Sequence, residues 1–357
     1  MLSLYETDLG LIISNGIHWQ NIRRFTLRHL RDLGMGKSKF VSQIHYEAAD
    51  LIKVMKKQAG IPAPVPKALT PAVSNVIWQM VAGIRQDLDN QEVLDFDKLF
   101  QQIQENAELI MIQDFFPWVQ NILPESLFNF ITKKHIHSKT AKTFKTKFME
   151  IIDDHIKTLD ENDPRDYIDD YLIEMEKQKD DPSSTMSYED LMSCVSDLFV
   201  AGMESTTPTI YFAIFYLASF PEVQRKIQKE LDEVLPNGTL FTLADKPREP
   251  LLRHWSYSIH SDEKYFDSPK EFRPERFLNS DGKFEAPKEN FIPFGTGKRQ
   301  CLGETLARME LFIFLTAMLQ ELHFSVPPNK TLDLSPNVLI AFHQPKIDQD
   351  ILITIRN

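Results

Sequence analysis

The stretch that decides the fold is Phe294-Gly-Thr-Gly-Lys-Arg-Gln-Cys-Leu-Gly303, a glycine-rich segment that ends in Cys301. A long apolar helix is predicted directly after it, at 302–322, and the N–H groups at a helix start favour thiolate over thiol. The glycines let the backbone fold closely under a flat ligand. Arg299 offers a cation for an anionic group, and Phe294 shields one side. The segment therefore predicts a thiolate that binds a soft metal.

Other interpretations of Cys301 are tested by spacing. A cysteine phosphatase loop needs an arginine six residues later, but that position is Ala307, and Arg308 lies one residue too far. A Walker loop needs glycine where Ile292 stands and serine or threonine where Arg299 stands. Both interpretations fail, and a thiol hydrolase is disfavoured because no motif places a histidine beside the cysteine. A small buried hydrophobe, the commonest role of a lone cysteine, stays open.

The segment resembles the cysteine-ligand signature of the cytochrome P-450 family, Phe-x-x-Gly-x-Arg-x-Cys-x-Gly. Its five specified residues are Phe294, Gly297, Arg299, Cys301 and Gly303. The resemblance implies a mainly α fold of the cytochrome P-450 type with a small β portion. It also implies a haem whose iron is bound by Cys301, because a thiolate ligand favours O–O cleavage. O₂ activation and insertion of one oxygen atom into an organic substrate are then expected.

A second stretch, Ala201 to Thr207, resembles the oxygen-activating motif of the same family. Small residues let a flat cofactor approach a helix, and an acid beside a hydroxyl relays protons. On this resemblance Glu204 and Ser205 occupy the catalytic acid and alcohol positions. Pro208 is predicted to distort the helix, because proline removes one backbone hydrogen bond. The alternative is a polar helix interruption exposed to solvent.

Near the N-terminus, Trp19 and Arg23 match the Trp-x-x-x-Arg pattern of the family. Residues four apart share a helix face, so an indole N–H and a guanidinium could bind one carboxylate. The resemblance implies that these residues and Arg299 bind the haem propionates; the alternative is a core tryptophan beside a surface arginine. A basic cluster on or after this helix is expected to dock an acidic redox partner, and it consists of Arg24, Arg28, Arg31 and Lys37.

Composition excludes several classes of protein. The chain has 357 residues, 42% hydrophobic and 25% charged, with a net charge of −11, which argues against a nucleic-acid partner. Two cysteines, Cys194 and Cys301, cannot build a zinc ribbon or an iron–sulfur site by themselves, and a reducing compartment is expected. The apolar run Ile210 to Leu217 is too short to span a bilayer, which needs about 20 residues.

Helical periodicity dominates the N-terminal two thirds of the chain. Helices are predicted over 16–33, 38–58, 71–84, 95–113, 139–159, 222–234 and 302–322, together with a long helix from about Ser187 to the Phe220–Pro221 break. A loop is predicted over 116–124, and strands over 338–342 and 351–355. We predict one domain over 1–357.

The resemblance breaks in two places. The chain begins just before the Trp19 helix, so the membrane anchor and the first strands and helices of the family are expected to be absent. The Glu-x-x-Arg helix of the family is also missing, which indicates a deletion near 244–259 in an incomplete gene model, a splice variant or a decaying gene. We expect Arg276, in the family's Pro-Glu-Arg-Phe segment, to lose its usual partners there.

The sequence thus predicts a monooxygenase that acts on a small apolar substrate such as a xenobiotic, a fatty acid or a steroid. The resemblance implies NADPH-derived electrons from a flavoprotein reductase and a place at the cytoplasmic face of the endoplasmic reticulum membrane, although the chain shows no anchor and taken literally is soluble. Phe199 and Met203 are candidates for the substrate wall. The alternative is a non-catalytic family member that binds haem weakly or not at all.

Overall fold

The structure is a computed structural model that describes residues 8–91, 95, 98, 118, 122, 124–131, 134–235, 266–269, 271–281, 285, 291–338 and 343–356. Its helices are α1 Gly16–Leu33, α2 Ser38–Lys57, α3 Leu69–Ala82, α4 Glu125–Ile131, α5 Lys134–Thr158, α6 Tyr167–Lys177, α7 Tyr188–Ser219, α8 Pro221–Val234 and α9 Glu304–Glu321. Short 3-10 turns lie at Pro274–Phe277 and Gly297–Arg299. The strands are β1 Leu322–Ser325, β2 Asn337–Val338, β3 His343–Gln344 and β4 Leu352–Ile355. The described chain is mainly helical with a small β portion near its C-terminal end, as the sequence predicts.

The predicted helices that lie within the described residues are confirmed, with differences at their ends. α1 has the predicted bounds, α2 and α8 differ by one residue at one end, and α3 begins and ends two residues early. α5 begins five residues before its prediction, and α9 begins two residues after it. The predicted helix over 95–113 and the loop over 116–124 lie outside the described residues, apart from a few single positions. No helix in the described part of the chain is both long and apolar enough to cross a membrane.

The long helix α7 begins as predicted. Ser187 Oγ accepts a hydrogen bond of 3.1 Å from the backbone N–H of Asp190, which satisfies one of the free donors at the helix start. Pro208 lies inside the helix, which continues to Ser219. The helix is continuous through the motif, and Thr206 and Thr207 are buried, so the interpretation of the motif as a helix interruption is wrong.

Helix α6 was missed by the sequence analysis. Asp166 caps it by accepting a 3.1 Å hydrogen bond from the N–H of Asp169. His155 Nε2 lies 2.9 Å from the other carboxylate oxygen of Asp166, and Arg165 forms an ion pair of 2.6 Å with Asp169. The signal was available, because an Asp followed by a second Asp three residues later is a common helix start.

The contacts divide the chain into two compact units. The first unit comprises Met1–Leu33, Ser74–Met203 and Leu339–Ala341, and the second comprises Gly34–Val73, Glu204–Val338 and Phe342–Asn357. The prediction of a single domain with a deletion near 244–259 stays a prediction, and 244–259 lies outside the described residues.

The core of the first unit is aromatic. Phe199 on α7 packs against Trp78 on α3 with a ring-centroid distance of 4.7 Å, and against Phe148 on α5 at 5.8 Å.

The backbone before α1 is held by buried acids of α7. Asp190 accepts a hydrogen bond from Gly10 N at 2.9 Å, and Asp197 accepts from the next two N–H groups. Burial raises the pKa of Asp197 to about 7.

In the second unit, the buried helix α9 packs against α2 and α8. Gln224 on α8 joins the helices to the sheet. Its Nε2 donates to the carbonyls of Leu217 at 3.1 Å and Phe324 at 2.8 Å, and its Oε1 accepts from Phe324 N at 2.9 Å.

The strands form two antiparallel pairs in the described part of the second unit. β1 pairs with β4, with Leu322 opposite Ile355, and β2 pairs with β3, with Asn337 opposite Gln344. The strand predicted over 351–355 is confirmed within one residue. The strand predicted over 338–342 is described only at Val338, because 339–342 lie outside the described residues.

Candidate functional site

The Cys301 loop is a tight backbone structure. Cys301 N donates a 2.9 Å hydrogen bond to the carbonyl of Phe294, and Gly295 N donates one of 2.9 Å to Ile292. Gly295 and Gly297 have φ values of 71° and 75°, a left-handed conformation that side chains with a Cβ rarely adopt. The path of the loop therefore requires Gly297 of the signature and also Gly295, which the signature does not specify.

None of the described residues covers the three glycines of this loop. Cys301 and residues 295–300 are exposed. A Cβ added at Gly295, Gly297 or Gly303 would meet no described atom within 4 Å. The interpretation of Cys301 as a buried hydrophobe is wrong, and the buried cysteine is Cys194. An exposed thiol beside three glycines without side chains is an arrangement that fits a flat, metal-bearing ligand.

The helix after the loop begins later than predicted. Gly303 is the N-cap of α9, so Cys301 lies two residues before the cap rather than directly before the first helical residue. The next turn supports Phe294, because the Arg308 guanidinium lies 4.7 Å from its ring centroid. Arg308 is itself held by Glu304 at 3.0 Å. The Phe294 ring is thus fixed from the helix side.

The motif on α7 alternates between buried and exposed side chains. Glu204 is 8% exposed and Thr206 is 2% exposed, whereas Ala201 and Ser205 are exposed. Residues four apart share a helix face, so the helix offers an open strip that carries the Ser205 hydroxyl. Cys301, Arg299, Glu204 and Ser205 all belong to the second unit.

A residue that sequence analysis missed holds Glu204. Gln344 on β3 donates a hydrogen bond of 2.9 Å from its Nε2 to Oε2 of Glu204. A buried carboxylate needs such donors, because burying it unpaired is costly. No local pattern pointed to Gln344, since it lies 140 residues away in the chain.

Glu310 on α9 was also missed. It is 1% exposed, and its Oε2 accepts a hydrogen bond of 3.2 Å from Thr206 Oγ1. Its Oε1 has no hydrogen-bond partner among the described residues. Burial raises the pKa of Glu310 to about 8, although the bond from Thr206 opposes the shift. The carboxyl group is therefore mainly protonated at neutral pH, which removes the cost of a buried charge.

Gly202 has a structural reason that the sequence analysis did not foresee. A Cβ at this position would lie 2.5 Å from Ile77 Cγ1 and 2.8 Å from its Cδ1. The small residue is therefore needed where α7 approaches α3, within the first unit. The predicted reason, close approach of a flat cofactor, stays a prediction.

Trp19 and Arg23 share a face of α1, as their spacing predicts. The Arg23 guanidinium lies 5.5 Å from the centroid of the Trp19 ring, a distance at which cation and ring attract each other. Trp19 is 7% exposed. Both residues belong to the first unit, and their role towards haem propionates stays a prediction.

The proposed substrate wall needs correction at Phe199 and Met203. Each is 2% exposed, and the Phe199 ring lies within the aromatic cluster of Trp78 and Phe148. These side chains build the core of the first unit.

The predicted docking cluster lies on the surface. Each of its side chains is exposed, namely Arg24, Arg28, Arg31 and Lys37.

The sequence analysis expected Arg276 to be left with an uncompensated charge, but the structure gives its guanidinium hydrogen-bond partners. Its guanidinium donates to four backbone carbonyls, those of Asp267, Ser268 at 2.9 Å, Glu271 at 2.8 Å and Arg273 at 3.2 Å. The carbonyl oxygens take the place of carboxylate partners, so this loop satisfies the arginine by itself.

Comparison with known proteins gives matches over most of the chain. The family model described as Cytochrome P450 matches residues 2–255 and 251–349. Cytochrome P450 2L1 of Panulirus argus is 36% identical over 382 aligned residues, covering 95% of this chain and 77% of the relative. Cytochrome P450 2C28 of Mesocricetus auratus is 35% identical and cytochrome P450 2C55 of Mus musculus 33%, each over 93% of this chain and 74% of the relative.

Proposed function

The chain belongs to the cytochrome P450 family, and from this premise we propose that it is a haem-thiolate monooxygenase. In this role it inserts one oxygen atom from O₂ into a small apolar substrate such as a xenobiotic, a fatty acid or a steroid. The observation that carries the proposal is the exposed Cys301 thiol and the loop face beside it. On that face a Cβ added at any of three glycines would meet no described atom.

We assign the haem contacts residue by residue. Cys301 would bind the iron, Phe294 would flank the thiolate, and Arg299 would pair with a propionate, because a fixed guanidinium suits a carboxylate. Trp19 and Arg23 are assigned to propionates by their family pattern and shared helix face. When bound, a thiolate-ligated haem supplies reductive activation of O₂.

The residues of α7 supply protons in this proposal. Glu204 is a buried acid with a fixed donor at Oε2, and the Ser205 hydroxyl stands next to it on the exposed strip. A positioned acid and hydroxyl move a proton in short steps, which typically contributes about 10²–10⁴ in rate. Serine keeps the hydroxyl but lacks the methyl group that fixes the threonine rotamer.

The electrons are proposed to come from NADPH through a separate flavoprotein reductase. The exposed basic cluster around Arg24 and Arg28 supports this assignment, since charge complementarity speeds the encounter with an acidic partner. Association with the endoplasmic reticulum membrane is proposed on family membership alone.

The competing proposal is a non-catalytic family member. The two matched segments of the family model meet at 251–255, within the interval where the Glu-x-x-Arg helix is expected. The compensation of Arg276 by backbone carbonyls supports a stable loop without that helix, and so weakens one physical argument against activity.

The test is the reduced, carbon-monoxide difference spectrum of the expressed chain and two variants. We expect a strongly red-shifted Soret band that Cys301→Ala abolishes and Cys194→Ala retains, because Cys194 is buried on α7. An unshifted band, or no haem band in the unmodified chain, would support the non-catalytic interpretation.

A further inference from the structure

Gln344 and Glu204 are joined by a side-chain hydrogen bond between β3 and α7. Gln344 lies on the two-residue strand β3, directly opposite Asn337 on β2. Its amide reaches out of this small strand pair to Oε2 of a carboxylate that is 8% exposed. A side-chain amide donates a hydrogen bond but neither gains nor loses a net charge near neutral pH. It therefore fixes the carboxylate without competing for its proton.

A second contact holds the next part of the same helix. Thr206 donates to Glu310 on α9 at 3.2 Å. Successive helical residues are rotated by about 100°, so positions 204 and 206 point to nearly opposite sides of the helix. Gln344 and Glu310 thus hold Glu204 and Thr206 from two sides of the helix. Ser205 lies between Glu204 and Thr206 in sequence and stays exposed.

We propose that Gln344 is a positioning residue that holds the carboxylate of Glu204 for proton transfer at Ser205, an inference that rests on the proposed function. Gln344 contacts the acid and not the reacting atoms. Without the amide, the Glu204 side chain gains rotamer freedom, and the distance over which its proton must move is no longer fixed.

Proton supply decides how O₂ is reduced when no substrate is added. With few protons delivered, one NADPH and one proton convert O₂ to hydrogen peroxide and NADP⁺. With efficient delivery, two NADPH and two protons convert O₂ to two water molecules and two NADP⁺. The amount of peroxide formed per NADPH therefore reports proton delivery and requires no knowledge of the natural substrate.

The experiment uses the full chain with haem, NADPH and a flavoprotein reductase, and compares Gln344→Leu, Glu204→Gln and the double variant. We expect each single variant to raise the ratio of peroxide to water by about tenfold, the equivalent of one lost charged hydrogen bond. The double variant should give no larger effect than Glu204→Gln alone. Equal ratios in Gln344→Leu and the unmodified chain would overturn the inference.

Gln349→Leu is the matched control. Gln349 lies in the same C-terminal segment and bonds to the backbone of Asp333 and Lys346. These hydrogen bonds stay within the segment and do not reach α7, so disturbing this segment alone should leave the peroxide ratio unchanged. An equal rise in this control would also overturn the inference, because the effect would then come from loop disorder.

A readout independent of turnover is the thermal unfolding of the same four proteins without haem. A direct contact predicts that the changes in Tm of Gln344→Leu and Glu204→Gln are non-additive by a few degrees. Additive changes together with a normal thiolate-haem spectrum would overturn the inference alone. Absence of that spectrum from the unmodified chain would overturn the proposed function and this inference with it.

Discussion

Thr206 on α7 donates its hydroxyl hydrogen bond to Glu310 on α9, 104 positions later in the chain, at 3.2 Å. Both side chains are almost completely buried. This bond joins the helix that carries Glu204 and Ser205 to the helix that follows the cysteine loop, within the second unit. The protonation state of Glu310 therefore affects a hydrogen bond that holds these two helices together.

Replacing Glu310 by glutamine should change how stability depends on pH. The pKa of Glu310 is raised from 4.5 to about 8 in the folded chain. Between these values the folded state binds more protons than the unfolded state, so the free energy of unfolding of the natural chain falls as pH rises. Glu310→Gln lacks this loss, and its stability relative to the natural chain should increase by about 3 to 4 kcal/mol from pH ~5 to pH ~8.

Urea unfolding at the two pH values measures this difference. Glu321→Gln is the control, because Glu321 lies at the end of the same helix with its side chain 47% exposed. Its stability relative to the natural chain should stay constant between the two pH values within about 0.5 kcal/mol. A constant difference for Glu310→Gln would show that the buried carboxyl group is ionised throughout.

Gly202→Ala should destabilise the first unit. The new Cβ would lie 2.5 Å from Ile77 Cγ1, and overpacking of this kind typically costs about 1–3 kcal/mol. Ile77→Ala removes the atoms that clash. The double variant should therefore lose less stability than the sum of the two single variants, as measured by urea unfolding. Strict additivity would contradict the close approach of α3 and α7.

Gln224→Leu should cost several kcal/mol of unfolding free energy. It removes the partners of two backbone groups of Phe324 and of the Leu217 carbonyl, and each buried polar group left without a partner costs about 1–3 kcal/mol. Arg225→Leu, at the exposed neighbouring position, should change stability by less than about 0.5 kcal/mol. Similar losses in both variants would contradict a specific role of the buried amide.

Arg276→Lys should loosen the loop around the Pro274–Phe277 turn. Lysine offers three donors from a single point and cannot reproduce the fork of a guanidinium that reaches four carbonyls. Hydrogen exchange of the Arg276 and Leu278 amides, which donate within the turn, should become about tenfold faster. Arg273→Lys should have a small effect, because Arg273 forms an exposed ion pair with Asp267.

The elements that the sequence predicted well have their causes in neighbouring residues. The start of α7 follows from the Ser187 cap, and its end from the Phe220–Pro221 step. The left-handed glycines of the Cys301 loop are specified within ten consecutive residues. Helix α6 was predictable on the same grounds, since the Asp166 cap lies next to it in the chain.

Other properties of the site depend on residues distant in sequence. The need for glycine at 202 comes from Ile77. The burial of Phe199 comes from rings on two other helices, which is why its predicted place in a substrate wall was wrong. Likewise, the four carbonyls around Arg276 depend on the path of the backbone, which side-chain motifs do not reveal.

The sequence by itself determined the family and singled out Cys301 as the candidate iron ligand. It could do so because five residues at fixed spacing lie in one short segment with local backbone requirements. Only the tertiary structure decided that Gln344 holds Glu204 and that Glu310 is a protonated partner of Thr206. These partners are 140 and 104 positions apart. Their hydrogen bonds and the raised pKa of Glu310 arise from burial, which is a property of the folded chain and not of any sequence pattern.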